Sequence, residues 1–394
     1  MHSTDQPTHA MNGASRDSRE RLDVAVVGAG PAGLAIGHFL ARSGRRFAIL
    51  EAGDSVATAW RERWDSLVLF TPRRYDALPG MPFPGDPDGY PGRDEVIAYL
   101  EDYARTFELP VRFRSRVRAL SANDGGGFVL ERDDDARVEA DQVVVATGPF
   151  HIPMMPAVAD ELAPEVFQAH SAAYRTPAVV PAGTVLVVGG GNTGYQIAKE
   201  LSATHAVHLA IGSRQTPLPQ RLLGRDLFWW LTRLGLLDKT VDSRFGRRAR
   251  NRDTLIGSSP RELERHFGVG LKPRVVGASG RIVRFADASE LTVDAVIWAT
   301  GYRPDHSWID LDLTDADGRL RHDRGVSDLP GLYFLGLSWQ HTRGSALLGW
   351  VKDDAEFIAA RIEAAAASKT PAAAHPPHDQ PDLTAQTTGA AEGL

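Results

Sequence analysis

The stretch VAVVGAGPAGLAIGHFL, from Val24 to Leu40, decides the fold of this chain of 394 residues. A short apolar strand runs into a glycine-rich turn, and apolar residues then recur at helical spacing. This order is typical of a doubly wound α/β sheet, in which the turn lets the first N–H groups of the helix approach a phosphate. The residues of the turn are Gly28, Ala29, Gly30, Pro31, Ala32 and Gly33.

The same pattern returns in VVGGGNTGYQIAKEL, which begins at Val187. The equivalent residues there are Gly189, Gly191, Asn192, Thr193 and Gly194. We call residues 28–33 the first cradle and residues 189–194 the second cradle. Because each cradle is followed by a helix and a second strand, the chain is predicted to contain two doubly wound, Rossmann-like units, each binding one dinucleotide.

In each unit, the residues at the end of the second strand predict which dinucleotide the unit binds. In the first unit this strand ends in Glu51, whose carboxylate can accept both hydroxyls of an adenosine ribose and would repel a 2′-phosphate, so FAD or NAD fits. In the second unit the strand ends in Ser213 and Arg214, a hydroxyl and a guanidinium that suit the 2′-phosphate of NADPH. A solvated loop arginine is the alternative for Arg214. Two sites of opposite ribose chemistry indicate that a visiting NADPH passes hydride to a resident FAD.

Composition limits the partners, the cellular location and the metal sites that we expect for this protein. The formal net charge of −6 gives no reason to expect nucleic acid as a partner. No apolar run reaches the roughly 20 residues of a membrane-spanning helix, and the first residues lack the apolar core of a signal peptide, so we expect a cytoplasmic protein without stable membrane insertion. The chain contains no cysteine. Disulfide chemistry and thiolate metal sites are thereby excluded, and we expect no metal site.

The order of the segments predicts one domain inserted into another. The expected parts are a tail at 1–20, a first part of the FAD-binding domain at 21–154, an NADPH-binding domain at 155–294 with a helical insertion at about 217–268, a second part of the FAD-binding domain at 295–365, and a tail at 366–394. Within the first part we expect a small β-meander, with turns at 123–127 and 133–136. A final helix is expected to begin near Ser345.

Two predicted strands end in the same three residues. One strand arrives at Ala146, Thr147 and Gly148, and a later strand arrives at Ala299, Thr300 and Gly301. Because the residues at these points are small, we predict that the backbone passes close to a neighbouring group there. We assign all six residues to the cofactor sites.

Several stretches give most of the chain a resemblance to the flavin-containing monooxygenase family. They are WRERWDSLVLFTPRRYDALPGMPFP at 60–84, HSAAYRTP at 170–177, DAVIWATGYRPDHSWI at 294–309 and GLYFLGLSWQHTRGSALLGWV at 331–351. HSAAYRTP is similar to the end of the family fingerprint, with His170 and Tyr174 in place, although the Phe and Gly that should precede it are missing. Tyr174 and Arg175 stand where the related Baeyer–Villiger enzymes have Trp-Pro, which disfavours that branch.

The resemblance implies a FAD-dependent, NADPH-consuming monooxygenase that forms a C4a-(hydro)peroxyflavin and inserts one oxygen atom into a small organic substrate, with soft nucleophiles such as amines and sulfides favoured. It implies that Trp60, Thr71 and Pro72 lie near the flavin. The helix near Ser345 would direct its positive end at the flavin N1–O2 edge. The candidate catalytic residues are Gln340, Thr342, Arg343 and His170, for each of which positioning, capping or plain packing is the alternative.

Other interpretations stay open. A flavin reductase or dehydrogenase that feeds a quinone or carrier, and a non-catalytic sensor of FAD and NADPH, would use the same scaffold. The expected partners are a small-molecule substrate and molecular oxygen, and a homo-oligomer is compatible with the sequence. Leu223, Leu227, Trp230, Leu234 and Leu237 predict one apolar helix stripe in the insertion, serving as a lid over the cofactor groove, a channel wall, or a weak membrane or subunit contact.

Overall fold

The computed structural model describes residues 20–213, 215–250 and 254–369. In chain order the strands are β1 (Glu20–Val27), β2 (Phe47–Leu50), β3 (Val111–Arg112), β4 (Val117–Ala122), β5 (Phe128–Arg132), β6 (Arg137–Val145), β7 (Ile152–Pro153), β8 (Phe167–His170), β9 (Thr184–Val188), β10 (Ala206–Ala210), β11 (Thr216–Leu218), β12 (Arg221–Leu222), β13 (Arg225–Asp226), β14 (Thr254–Ile256), β15 (Gly270–Lys272), β16 (Val275–Ser279), β17 (Ile282–Phe285), β18 (Glu290–Thr292), β19 (Ala295–Trp298), β20 (Tyr302–Arg303), β21 (His322–Asp323), β22 (Val326–Ser327) and β23 (Leu332–Phe334). The helices are α1 (Pro31–Arg42), α2 (Thr58–Arg61), α3 (Arg93–Thr106), α4 (Asn192–Leu201), α5 (Leu227–Arg233), α6 (Arg244–Arg250), α7 (Pro260–Phe267) and α8 (Val351–Lys369).

The first sheet is built around β1, which pairs in parallel with β2 on one side and β6 on the other. Its side chains alternate between two apolar clusters. Val24 and Val26 face the cluster that contains α1, α3 and α8, whereas Ala25 and Val27 face the cluster that contains β4 and β5. From Val24 to Val27 the strand is apolar because both of its faces are covered there, as the sequence pattern predicted.

The second sheet has the order β15-β10-β9-β19-β8, and all of its strands are parallel. It confirms the second doubly wound unit. The predicted boundary after residue 294 needs correction, because β19 lies between β9 and β8 in this sheet. The four residues of β19 are completely buried at the centre of the second domain, so the chain returns to the first domain only after Gly301.

The predicted meander is confirmed as β4, β5 and β6, which pair antiparallel, with β4 and β5 branching from β6 away from the main strand order of the first sheet. The structure corrects two predicted helices. Only residues 227–233 of the predicted stripe are helical; Leu223 lies in the turn between β12 and β13, with φ of 50° and 82% of its surface exposed. The last helix begins at Val351 rather than near Ser345, since Leu347 is extended and only a short 3₁₀ turn precedes it.

The two domains are joined by two crossing segments that pair with each other, β7 with β20. A third connection comes from the first domain. Trp64 and Leu67 belong to the apolar cluster of the second sheet, and the side chain of Gln196 exchanges two hydrogen bonds with the backbone of Val68. These contacts hold the two domains together.

Candidate functional site

The three glycines of the first cradle serve different purposes. Gly28 has φ of +105°, and a Cβ there would lie 2.7 Å from the carbonyl oxygen of Ala146. A Cβ on Gly33 would overlap the carbonyl oxygen of Gly28. Gly30 has an ordinary φ of −81°, and no atom of the described residues lies within 4 Å of the Cβ position. The fold therefore requires Gly28 and Gly33, whereas the open space at Gly30 fits the close approach of a pyrophosphate.

The second cradle repeats this geometry. Gly189 has φ of +133°, and a Cβ there would overlap the carbonyl oxygen of Ala299. A Cβ on Gly194 would overlap Gly189, and a Cβ on Gly191 would meet no described residue within 4 Å. Ala146 and Ala299 thus have equivalent positions, because the backbone of each Ala-Thr-Gly end lies directly beneath a glycine turn.

The helices that follow the cradles begin without a side-chain cap. The N-cap residues are Gly30 for α1 and Gly191 for α4, and neither provides a side-chain acceptor for the first N–H groups. Such N–H groups carry the positive end of the helix dipole, which suits a phosphate. The side chain of Asn192 is used inside the protein, where its Oδ1 accepts from the backbone N–H of Ile256 at 3.0 Å. Thr193 follows it in the first turn of α4.

Glu51 is buried at the end of β2 and supports the first cradle directly. Its Oε2 accepts from the N–H of Ala29 at 2.7 Å, and its Oε1 accepts from the N–H of Gly53 at 2.9 Å. A carboxylate has about four acceptor positions, so both oxygens keep capacity for a ribose hydroxyl. Sequence reasoning predicted the ribose contact and missed the contact with the glycine turn.

Replacing Glu51 by Gln is expected to weaken FAD binding by about tenfold, because one charge-assisted acceptor is lost and one amide oxygen must serve Ala29 and the ribose together. The measurement is the dissociation constant of FAD for deflavinated protein. Ser115→Ala is the control, since Ser115 lies nearby, its N–H donates to the backbone of Glu51, and its hydroxyl donates to the carbonyl of Phe113. Unchanged FAD affinity in Glu51→Gln would contradict the ribose assignment.

At the second ribose position the structure describes Ser213, which is exposed just beyond β10. Arg214 lies outside the described residues, so its assignment to the 2′-phosphate stays a prediction. Gly148 and Gly301, which close the two Ala-Thr-Gly ends, have φ of +74° and +84° and no neighbour that a Cβ would meet within 4 Å. Both are at turns that favour glycine.

Trp60, Thr71 and Pro72 lie in the segment of the first domain that contacts the second domain. Trp60 packs against the apolar clusters of both sheets. Pro72 precedes a 3₁₀ turn at Arg73–Tyr75, and the buried hydroxyl of Thr71 donates to Oδ1 of Asp76 at 2.6 Å.

Asp76, the partner of Thr71, is a buried acidic residue that sequence reasoning did not single out. Its side chain is completely buried, and its Oδ2 has no hydrogen-bond partner among the described residues. Burial raises the pKa of Asp76 to about 7, against smaller opposing effects of the Thr71 hydrogen bond and the charge of Arg73. No local pattern marks this residue, because its burial depends on the segment around Gly349, whose backbone packs on Tyr75 and Asp76.

An aromatic wall of Phe70, Tyr75, Phe228 and Trp350 joins the insertion to the first domain. Phe228 of α5 stacks on Phe70 with ring centroids 5.9 Å apart and lies 5.6 Å from Trp350, which in turn stacks on Tyr75 at 5.5 Å. Asp226, the N-cap of α5, accepts from the N–H of Phe228 and from the hydroxyl of Tyr90, both at 2.7 Å. The insertion is therefore packed against the first domain.

Gln340 and Thr342 have structural contacts. The buried amide of Gln340 accepts from the N–H of Leu337 at 3.2 Å and donates to the carbonyl of Arg324 at 3.4 Å. Thr342 caps the 3₁₀ turn at Arg343–Ala346, where its Oγ1 accepts from the N–H of Gly344 at 3.1 Å. Both side chains hold the loop in place.

Arg343 differs from its neighbours in the loop. Its guanidinium is largely surrounded by protein, and this burial lowers its pKa. Among the described residues it forms no ion pair or hydrogen bond, and its nearest ring contact is Trp339, with the Cζ 6.0 Å from the ring centroid. Trp339 has φ of 58°, which is unfavourable for a bulky residue. An unpaired cation in such surroundings suits an anionic group of a ligand.

His170 lies where the chain crosses between the domains. Its Nδ1 accepts from the N–H of Ala172 at 3.1 Å, so its Nε2 carries the proton and donates to the carbonyl of Gly301 at 3.0 Å. Burial lowers the pKa of His170, which favours the neutral ring. Among the described residues, no hydrogen bond, ion pair or ring contact joins His170 to the loop of Gln340, Thr342 and Arg343, so the four candidates are not one cluster.

Comparison with known proteins decides the family. The family described as "Pyridine nucleotide-disulphide oxidoreductase" matches residues 25–220. An uncharacterised CzcO-like oxidoreductase of Geobacillus kaustophilus is 43% identical over 86% of this chain and 97% of its own length. An indole-3-pyruvate monooxygenase of Oryza sativa subsp. japonica is 31% identical over 82% of this chain and 88% of its own length. A solved flavin-containing monooxygenase from Stenotrophomonas maltophilia is 31% identical and superimposes with a TM-score of 0.74, covering 88% of this chain and 99% of that one.

The chain belongs to the flavin-containing monooxygenase family. It is an oxidoreductase, and the cofactors of this flavin-containing monooxygenase are FAD and NADPH. The two cradles fit two dinucleotides, because each leaves open the position of its middle glycine. Within the described residues, no helix of the monooxygenase is both long and apolar enough to cross a membrane.

Proposed function

We propose that this flavin-containing monooxygenase forms a C4a-(hydro)peroxyflavin and inserts one oxygen atom into a small organic substrate, with amines and sulfides favoured. The reaction balances as substrate, O₂, NADPH and H⁺ giving oxygenated substrate, H₂O and NADP⁺. The pair of cradles with open middle glycines is the observation that carries this proposal, since the reaction needs both dinucleotides at once. A cytoplasmic location accords with the absence of a spanning helix from the described residues.

We assign FAD to the first cradle and NADPH to the second. The N–H groups at the start of α1 would bind the FAD pyrophosphate, and Glu51 would bind its ribose. The N–H groups at the start of α4 would bind the NADPH pyrophosphate, with Ser213 and Arg214 at the 2′-phosphate. When bound, the flavin supplies the chemistry that accepts hydride and reacts with oxygen.

Residues of the chain would assist this chemistry in two ways. The guanidinium of Arg343, which has no ion-pair partner within the described part of the chain, can stabilise the negative charge that reduction places on the flavin, while Gln340 and Thr342 position its loop. The aromatic wall can exclude water from the space between insertion and first domain, which prevents wasteful release of peroxide. His170 would hold the domain crossing rather than transfer a proton.

The experiment is rapid mixing of anaerobic, NADPH-reduced enzyme with oxygenated buffer. We expect a transient absorbance band in the near ultraviolet before the spectrum of oxidised flavin returns, and faster decay when a substrate is present. The substrate panel contains a tertiary amine, a thioether and, because one relative is named for indole-3-pyruvate, an aromatic 2-oxo acid. Single-step return of oxidised flavin with stoichiometric peroxide for every compound, together with rapid quinone reduction, would establish the reductase alternative instead.

A further inference from the structure

Two neighbouring strands of the second sheet are followed by polar residues, which lie together at the edge formed by the carboxyl ends of the strands. β10 and β15 are parallel neighbours, with Ala210 opposite Lys272. The residues that follow them, Gly212 and Ser213 on one chain segment and Arg274 on the other, therefore leave the sheet side by side. In a doubly wound unit, the end of the second strand is where the adenosine ribose of a bound dinucleotide lies.

Arg274 is held in a defined position at this edge. Its Nε and Nη2 both donate to the carbonyl oxygen of Gly212, at 3.0 and 2.6 Å. A guanidinium has five N–H donors, so three remain for another acceptor. These two hydrogen bonds orient the planar guanidinium beside Gly212, which immediately precedes Ser213 in the chain.

No residue that the structure describes neutralises the charge of Arg274. It is exposed and forms no ion pair with any residue that the structure describes. Arg281, on the neighbouring hairpin, shows the contrasting arrangement, since it is paired with Asp294. At the ribose edge, the guanidinium also covers a carbonyl oxygen whose partial negative charge would otherwise oppose a phosphate.

We propose that Arg274 is a second cation for the 2′-phosphate of NADPH and that it contributes to the preference for NADPH over NADH. This inference rests on the assignment of NADPH to the second cradle. Sequence reasoning missed Arg274 because it follows Ser213 by about 60 residues, and only the pairing of β10 with β15 brings the two together.

The experiment measures binding rather than turnover. FAD-loaded, full-length enzyme is titrated calorimetrically with NADP⁺, NAD⁺ and adenosine 2′-monophosphate. A charge-assisted hydrogen bond at an exposed site is expected to give about a tenfold loss on removal. Arg274→Gln should therefore weaken NADP⁺ and adenosine 2′-monophosphate by about tenfold and change NAD⁺ by less than about twofold. The loss should shrink as salt is raised, because exposed charges are screened.

Arg284→Gln is the matched control, since Arg284 is an exposed arginine on β17 and its replacement changes the net charge equally. Equal weakening of NADP⁺ and NAD⁺ in Arg274→Gln, or no change in either, would overturn the proposal. Gly191→Val tests the underlying assignment separately. If Gly191→Val leaves NADP⁺ binding intact, the second cradle is misassigned; if it abolishes binding while Arg274→Gln has no effect, only the role of Arg274 fails.

Discussion

Gly30→Val is expected to produce a folded protein that purifies without its yellow colour. The backbone of Gly30 has an ordinary φ of −81°, and no protein atom lies within 4 Å of the added Cβ, so the fold should accept the side chain. The pyrophosphate of FAD would be blocked and would lose its charge-assisted bonds to the start of α1. Each tenfold in affinity corresponds to roughly 1.4 kcal/mol, and we expect at least about a 100-fold loss.

Gly191→Val gives the reciprocal control in the second cradle. This variant should keep FAD, with an unchanged ratio of flavin to protein absorbance, but NADPH should no longer reduce the flavin under anaerobic conditions. Dithionite should still reduce it, which separates loss of NADPH from loss of flavin function. If Gly30→Val retains stoichiometric FAD, or if Gly191→Val loses it, the assignment of the two cradles is wrong.

Asp76→Asn is expected to stabilise the protein at pH 8 and to have little effect at pH 4. The carboxyl has a pKa of about 7 in the folded chain and about 3.8 when unfolded. Between these values the folded state holds a proton that the unfolded state has lost, so stability falls as pH rises through this window. The slope is of the order of 1 kcal/mol per pH unit, and above pH 7 this contribution is constant.

The measurement is the free energy of unfolding from urea titrations at a series of pH values. Asparagine keeps the shape of Asp76 and an oxygen that can accept from the Thr71 hydroxyl, but it cannot ionise. Asp124→Asn is the control, because Asp124 is exposed in a turn of the meander. Parallel pH profiles for wild type and Asp76→Asn would show that Asp76 does not hold its proton near neutrality.

The sequence predicted those features that depend on local geometry. Gly28 and Gly33 could be recognised because their backbone positions require glycine wherever a strand turns into a helix in this way. The two buried strands and the meander could also be predicted, because hydrophobic patterns and turn residues are recognised within a few positions of the sequence. The helix expected near Ser345 was wrong because that stretch forms a short 3₁₀ turn followed by the extended residue Leu347, and helix propensity does not include the close packing of Gly349 against Tyr75.

The remaining features depend on contacts between distant segments. Asp76 is buried by a part of the chain more than 250 residues away, and β19 could be assigned to its sheet only from its pairing with β8 and β9. Arg343 could be named from the resemblance, but its lack of a partner is a property of the folded loop. Whether His170 contacts a cofactor stays a prediction, while its bonds to Ala172 and Gly301 are structural.

The position of Trp64 bears on how the molecule unfolds. Trp64 and Leu67 belong by sequence to the first domain, yet they fill part of the apolar core of the second. Unfolding of the first domain would withdraw these side chains and leave a cavity in the other, at a cost of several kcal/mol. A second domain excised by cutting at residues 155 and 300 would therefore lack part of its apolar core, and the thermodynamic boundary between the two domains does not coincide with the boundary between their sheets.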